Sequence, residues 1–456
     1  MAIKAAGPYV FFVGVCTLLY FVVGPQAETI ISSAHHAYEK NPAVPGVIIA
    51  LIAFMAMSAL SEYFSRAMKG FQSFVLAIFL GFAGSGLLGP LVNSPDALVV
   101  VVNVSAAIIL LQGGLEIKFS NFIKLLAIIM SLSFVGLIVT AVAFTFTLLG
   151  LAQLFGVAIL PHVALLLGAI LASTDPAALV PLFKQMKWLD ESAKDVVIAE
   201  SAGTDVTGTI LTMALLTIVG LGRGADFNVW TDGYDKVLTE EAAVKIAMEM
   251  LVGIVAGIIG WLSLLGFSWF KKRGNSEHGV DPLVVKMVGL FAFYLAYSFH
   301  GSGFLAVFVA GLLFDVKRHM KVTEHRVGDS IDAFFKPAVF VTLGAIVDIN
   351  LLIQNWMIGI AAAIAFMAIN RPIGVLVSLL PLKAVGWAKV TNKDIVFIAS
   401  VRETGAIPAV LLLTVMANGV AGADMLVSIG TWVILMTLLL GPTYKEFLGR
   451  KLGIVE

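Results

Sequence analysis

Charge is what this sequence has least of. Only 13% of its 456 residues are Asp, Glu, Lys or Arg, where a soluble domain carries about a quarter. Hydrophobic residues make up 59%, and mean hydropathy is +0.99. That shortage excludes a water-facing surface over most of the molecule. Net charge is zero, 29 basic residues against 29 acidic, so no basic field exists to attract nucleic acid. Cysteine is nearly absent too. Cys16 stands alone in an apolar run, which excludes a disulfide framework and a Cys-based metal site. None of the seven histidines pairs with another at helical i,i+4 spacing, and no cofactor is expected.

What the sequence has in abundance is long apolar runs. A hydrocarbon core of about 30 Å needs roughly 20 helical residues, and fourteen runs meet or approach that length. They lie at about 8–24, 43–60, 71–92, 96–115, 121–150, 155–183, 193–221, 240–268, 281–299, 302–316, 330–348, 353–381, 393–417 and 424–442. The first, preceded by Lys4, has the make-up of a signal peptide and is read as a retained helix. The boundary at His300-Gly301-Ser302-Gly303 is the least sharply marked.

The loops test this count, because Lys and Arg favour the cytoplasmic side. With the N-terminus inside, outward loops hold only Lys40, Arg223 and Lys236 of the 29 basic residues. Five more (Lys245, Lys286, Lys336, Arg371 and Arg402) lie inside runs or at their edges, and the remaining 21, Lys445 among them, fall in inward loops. The expectation is an all-α membrane protein of fourteen spans in the cell (inner) membrane, with both termini cytoplasmic. Runs 2–7 and 9–14 have opposite starting directions. They fit two inverted six-helix repeats, with run 1 an addition and run 8 a linker, as in many secondary transporters. Residues 1–456 are expected to form a single transmembrane unit with no cytoplasmic regulatory domain.

A carboxylate at a helix centre costs ~2.5–3.5 kcal/mol to insert, so each intramembrane acid needs a reason. The informative cluster spans runs 6 and 7: Ser173-Thr174-Asp175-Pro176, then Glu200-Ser201-Ala202-Gly203-Thr204-Asp205. Pro176 removes a backbone donor and predicts a broken helix. Unwound backbone is tolerated in a membrane where it lines a cavity, and its carbonyls can bind a cation. A Pro kink capped by Asp175 would be the plainer explanation, but the next run adds more acid. There, Ser201 and Asp205 share a face at i,i+4. Oxygen ligands on one face suit a hard monovalent cation. Ser201, Glu200 and Asp205 are thus the candidate ion- and proton-binding residues of run 7, beside the break at Thr174.

Two arginines add to the set. Arg371, within Asn370-Arg371-Pro372, needs an acid from another helix, and Glu200 is the candidate. Arg402-Glu403-Thr404-Gly405-Ala406-Ile407-Pro408 predicts a second broken helix at the position equivalent to run 6. There Arg402 and Glu403 could support the site or simply compensate each other. Asp96, Glu116, Asp315 and Asp348 fall at predicted helix ends, where capping or solvent explains them.

These residues resemble the sodium/proton exchanger family of monovalent cation:proton antiporters, in its bacterial form. The resemblance rests on Thr174-Asp175-Pro176, Glu200 to Asp205, Gly301 to Ala306 with Ala310-Gly311, Asn370-Arg371-Pro372 and Gly405 to Pro408, in that order. It implies two broken crossing helices, a homodimer in the lipid bilayer, and exchange of Na+ or K+ for H+ as a mobile domain carries the ion across. By position, Asp205 matches the ion- and proton-binding carboxylate. Thr174, Ser201 and Glu200 match residues near the ion, which implies a cation at Asp205, Ser201 and Thr174; Arg371 matches the partner of that glutamate, and Asp175 the acid at the crossing. Thr204 departs from the family, which usually has Asn or Asp there. With one titratable acid at that pair, exchange is expected to be electroneutral. Rival readings are a cation channel, another solute transporter, or an intramembrane aspartyl protease; for the last, no Gly-x-Gly-Asp is present.

Overall fold

The computed structural model describes residues 43–67, 73–174, 186–189, 192–220, 226–274, 281–314, 331–388, 390–401 and 403–455, with a few isolated positions elsewhere. The first predicted run lies outside them apart from Val13, Gly14, Cys16 and Thr17. Among the described residues every extended regular element is a helix; the one β-contact is an isolated bridge between Trp188 and Val455.

In chain order these are α1 (Ala43–Ala67), α2 (Ser73–Ala83), α3 (Ser85–Val92), α4 (Pro95–Glu116), α5 (Phe119–Lys124), α6 (Leu126–Phe155), α7 (Pro161–Leu171), α8 (Ser192–Val219) and α9 (Glu240–Gly274). Then follow α10 (Asp281–Ser298), α11 (Gly303–Leu313), α12 (Lys336–Ile346), α13 (Ile349–Gln354), α14 (Trp356–Ala384), α15 (Asn392–Ser400), α16 (Ala406–Ala417) and α17 (Ala423–Leu452). Eight of them (α1, α4, α6, α8, α9, α10, α14 and α17) contain segments long and apolar enough to cross a membrane.

The predicted run 71–92 is not one straight helix. It is α2 and α3, bent by 89° at Gly84, whose missing side chain admits Met57. Both α6 and α14 contain a π-helical turn, at Ser131–Gly136 and Phe366–Asn370. The boundary at His300 is a tight turn. His300 takes φ +57°, and Ser302 caps α11 by accepting from the Leu305 amide at 3.2 Å. Asp348 caps α13 as expected at a helix end, its Oδ1 accepting from the amides of Asn350 and Leu351 at 2.8 and 3.3 Å.

Burial sorts the helices into centre and rim. The apolar window of α8 is 78% buried, that of α1 only 22%. On α9, Val244, Met248, Leu251, Val255, Ile258 and Leu262 are all exposed; their spacing of three and four makes one apolar stripe, the surface lipid requires. The opposite face of α9 is glycine. A β-carbon at Gly253 or Gly257 would sit 2.7 or 2.6 Å from the carbonyl oxygens of Ser302 and Ala306. Small residues let helix backbones meet where no hydrophobic effect drives association.

Two other seams follow that rule and link distant parts of the chain. α2 and α12 cross where side chains at Gly81 and Gly344 would strike the carbonyls of Val341 and Ile78. α4 and α11 cross where side chains at Gly114 and Gly311 would strike those of Phe308 and Leu111. Each seam is reciprocal, one glycine from each helix.

Candidate functional site

α7 starts with Pro161 in its first turn, where the missing amide hydrogen loses nothing, and ends at Leu171. Ala172, Ser173 and Thr174 leave the helical path, so α7 stops where the sequence of run 6 predicts a break. Asp175, which follows, lies outside the described residues, as does Arg402 in the second break. α8 passes the break and presents Glu200, Ser201, Thr204 and Asp205 to it, all buried and none more than 1% exposed.

Thr174 is the hub of this contact. Its hydroxyl lies 3.0 Å from Ser201 Oγ, 3.2 Å from Thr204 Oγ1 and 3.4 Å from Glu200 Oε2. Thr204 donates its own proton to the Ser201 carbonyl at 2.9 Å and accepts from the Thr174 amide at 3.3 Å. The hydroxyls therefore stitch the unwound backbone to α8. They leave a group of oxygens around the turn that carries Asp205. Helix–helix approach here depends on Gly203, where a side chain would strike Ser133 Oγ in the π turn of α6.

Arg371 follows directly on the π turn of α14. A π turn adds one residue and re-aims the side chains after it. The guanidinium reaches across to Glu200, Nη2 to Oε1 at 2.7 Å, with both side chains fully buried. This is the contact predicted from sequence. Next to it, Asn370 Nδ2 donates to Thr147 Oγ1 on α6 at 2.8 Å. Arg371 thus balances the charge of Glu200, and the remaining acid of the described cluster is Asp205.

The second break repeats the construction of the first. α15 ends at Ser400 and α16 begins at Ala406. Thr404 Oγ1 meets Thr437 Oγ1 on α17 at 2.7 Å, and the Thr404 amide donates to the same oxygen at 3.4 Å. Thr437 donates to the Ile434 carbonyl at 3.0 Å, as Thr204 does to that of Ser201. One turn on, Gly208 and Gly441 correspond. A β-carbon at Gly208 would lie 3.1 Å from Ser173 Cβ, and one at Gly441 would lie 2.6 Å from Glu403 Oε1.

Lys445 corrects the sequence reading. It is not in a cytoplasmic loop: it lies inside α17, buried, in an ion pair with buried Glu403. Glu403, for which the sequence leaves both support of the site and compensation by Arg402 open, has this lysine as a partner. The apolar run ends near 442, so hydropathy alone places Lys445 outside. The sequence signal that could have found it is its spacing, four residues after Gly441 and eight after Thr437.

Residues 49–449 match the family described as sodium/hydrogen exchanger, transmembrane. The chain belongs to the sodium/hydrogen exchanger family. It is therefore a multi-pass membrane protein. The family's curated relatives include a K(+)/H(+) antiporter NhaP2 of Shewanella oneidensis, 28% identical over 80% of this chain and 59% of its own length. They also include a probable Na(+)/H(+) antiporter 2 of Methanocaldococcus jannaschii, 25% identical over 60% of this chain and 63% of its own. The chain thus spans about three fifths of the length of these relatives. In fold it is similar to the sodium proton antiporter MjNhaP1 of Methanocaldococcus jannaschii at pH 8, with a TM-score of 0.69 and 19% identity, covering 89% of this chain and 99% of that one. Relatives so named are transporters, not enzymes.

Proposed function

We propose that this chain is a secondary antiporter that exchanges a monovalent cation, Na+ or K+, for H+. The observation that carries the reading is the buried set of Thr174, Ser201 and Asp205 at a helix break, beside an acid already balanced by Arg371. A carboxylate that holds either a cation or a proton, never both, is the minimum chemistry of exchange. Ser201 and Thr174 supply neutral oxygens in place of water, and Glu200 with Arg371 fixes the α8 turn that presents them. Asp175 and Arg402 belong to the proposal by sequence position. Thr204, being neutral, adds no second charge beside Asp205, which supports electroneutral exchange.

The same reading takes the fourteen runs as two inverted six-helix repeats. It is supported by the recurrence of a π-turned helix, a broken helix and a long helix in each half, α6 to α8 and α14 to α17. A homodimer in the inner membrane, with cytoplasmic termini and alternating access to Asp205, completes it. The test is dissipation of a preformed proton gradient in inverted vesicles by lithium, sodium or potassium added in turn. Dissipation by at least one of them, absent in vesicles without the protein, is expected. A gradient untouched by all three would overturn the reading.

A further inference from the structure

The two breaks match so closely that the place where they differ is informative. Their hydroxyl contacts are the same: Thr174 with Thr204, and Thr404 with Thr437, each reinforced by a break amide and by a bond to the carbonyl three residues back. Four residues beyond each threonine stands a glycine that lets the break approach. Four residues further stand Thr212 in α8 and Lys445 in α17. The residue before each break threonine is Ser173 in the first and Glu403 in the second. In the second break, then, a buried monovalent cation, the Lys445 ammonium, is held by Glu403 beside the glycine. In the first break the same positions carry two hydroxyls.

Those hydroxyls are not otherwise engaged. Ser173 Oγ and Thr212 Oγ1 are buried and have no hydrogen-bond partner among the described residues. Other threonines of α8 find a carbonyl. Thr207 donates to that of Ser133 at 2.7 Å, with that of Gly203 at 3.1 Å, Thr209 to that of Asp205 at 2.7 Å and the exposed Thr217 to that of Met213 at 2.9 Å. Thr212 does not. Leaving a buried hydroxyl unsatisfied costs about 1–3 kcal/mol, and an ion or an ordered water is what ordinarily relieves that cost.

We propose that Ser173 Oγ and Thr212 Oγ1 form a second oxygen station for the transported monovalent cation, centred at Gly208, one turn of α8 beyond Asp205. Three residues of helix separate Asp205 from Gly208, about 4.5 Å along the axis. A cation leaving the carboxylate therefore meets these oxygens before it is rehydrated. The station carries no charge, so it holds the ion more weakly than the carboxylate does and adds about one contact's worth of affinity. Gly208 keeps the position clear, because a side chain there would press on Ser173. The second break offers the same space to a tethered ammonium and is permanently filled. That is why only one of two similar breaks conducts.

This inference rests on the antiporter reading, and the experiment separates the two. Thr212→Val, Thr212→Ser and Ser173→Ala are reconstituted beside the unaltered chain, and cation-dependent proton movement is measured against pH and cation concentration. Thr212→Val and Ser173→Ala are expected to raise the half-saturating cation concentration about five- to tenfold, the worth of one hydrogen-bond-like contact. The pH dependence set by Asp205 is expected to stay in place, and Thr212→Ser, which keeps the hydroxyl, is expected to restore the original concentration. Stabilisation of the detergent-purified protein by sodium or potassium is a second readout, expected to shrink in the same two variants. Unchanged half-saturation and unchanged stabilisation in both would overturn the station while leaving the antiporter intact. So would a Thr212→Ser variant as impaired as Thr212→Val. An unaltered chain that moves no protons in response to any cation would overturn the antiporter reading, and the station with it.

Discussion

Arg371 reaches Glu200 at 2.7 Å with neither side chain open to solvent, and so ties α14 to the helix that carries Asp205. Removing one member of a buried pair strands the other and typically costs ~3–5 kcal/mol. Glu200→Ala and Arg371→Ala are each expected to melt markedly lower than the unaltered protein in detergent. The double variant is expected to lose less than the sum of the two. Strict additivity of the melting shifts would show that the pair does not act as a unit.

Asp205 is proposed as the carrier of cation and proton, and its replacement is expected to have a different signature. Asp205→Asn preserves size and hydrogen bonding but cannot exchange a proton for a cation. The variant is expected to assemble and melt near the unaltered protein while cation-dependent proton movement falls to background. Retained exchange would remove Asp205 from the mechanism.

On the proposed function, Thr204 bears on the charge moved per cycle. With a neutral residue there, the proposed site would alternate between Asp205 with a cation and Asp205 with a proton, two states of equal charge. A charge crossing the full potential would feel ~2.3 kcal/mol per 100 mV. Exchange of sodium is therefore expected to be insensitive to an imposed membrane potential, and a solid-supported membrane under a sodium gradient is expected to show no steady current. Thr204→Asp adds a second titratable group that titrates jointly with the first, and is the variant in which voltage sensitivity is expected to arise.

The reciprocal glycine seams make a structural prediction. At Gly344 even a β-carbon would strike the Ile78 backbone, which cannot rotate away as a side chain can. Gly344→Val is expected to lower stability by about 1–3 kcal/mol, the usual penalty of overpacking. A glycine on the exposed side, such as Gly150, which has open space beside it, is expected to accept alanine with little change in melting temperature.

Much of this architecture was legible in hydropathy and spacing. Charge is so scarce that every buried acid stood out, and Arg371 so plainly needed a partner that Glu200 could be named without a structure. What was not legible depended on backbone detail. No composition signal marks the π turns before Leu137 and Arg371, because they come from packing between helices. The bend at Gly84 is written only as a glycine that could equally have sat in a straight helix. Lys445 was misread because a lysine just past an apolar run looks like every cytoplasmic flank in the sequence. Only the acid left over at Glu403 pointed inward.

The paired glycine seams also set an order of assembly. α2 finds its partner in α12, and α4 finds its partner in α11, so neither seam can close while only the first half of the chain has been made. Until then the glycine-lined faces of α2 and α4 lie against lipid without the contacts that fit them. Contacts so distant in sequence close late and slowly, and the early helices depend on their own apolar stripes to stay in the bilayer meanwhile. Truncation after α9 would therefore leave a half that inserts but does not pack, and mutations at the seams would act on the yield of assembled protein before they act on transport.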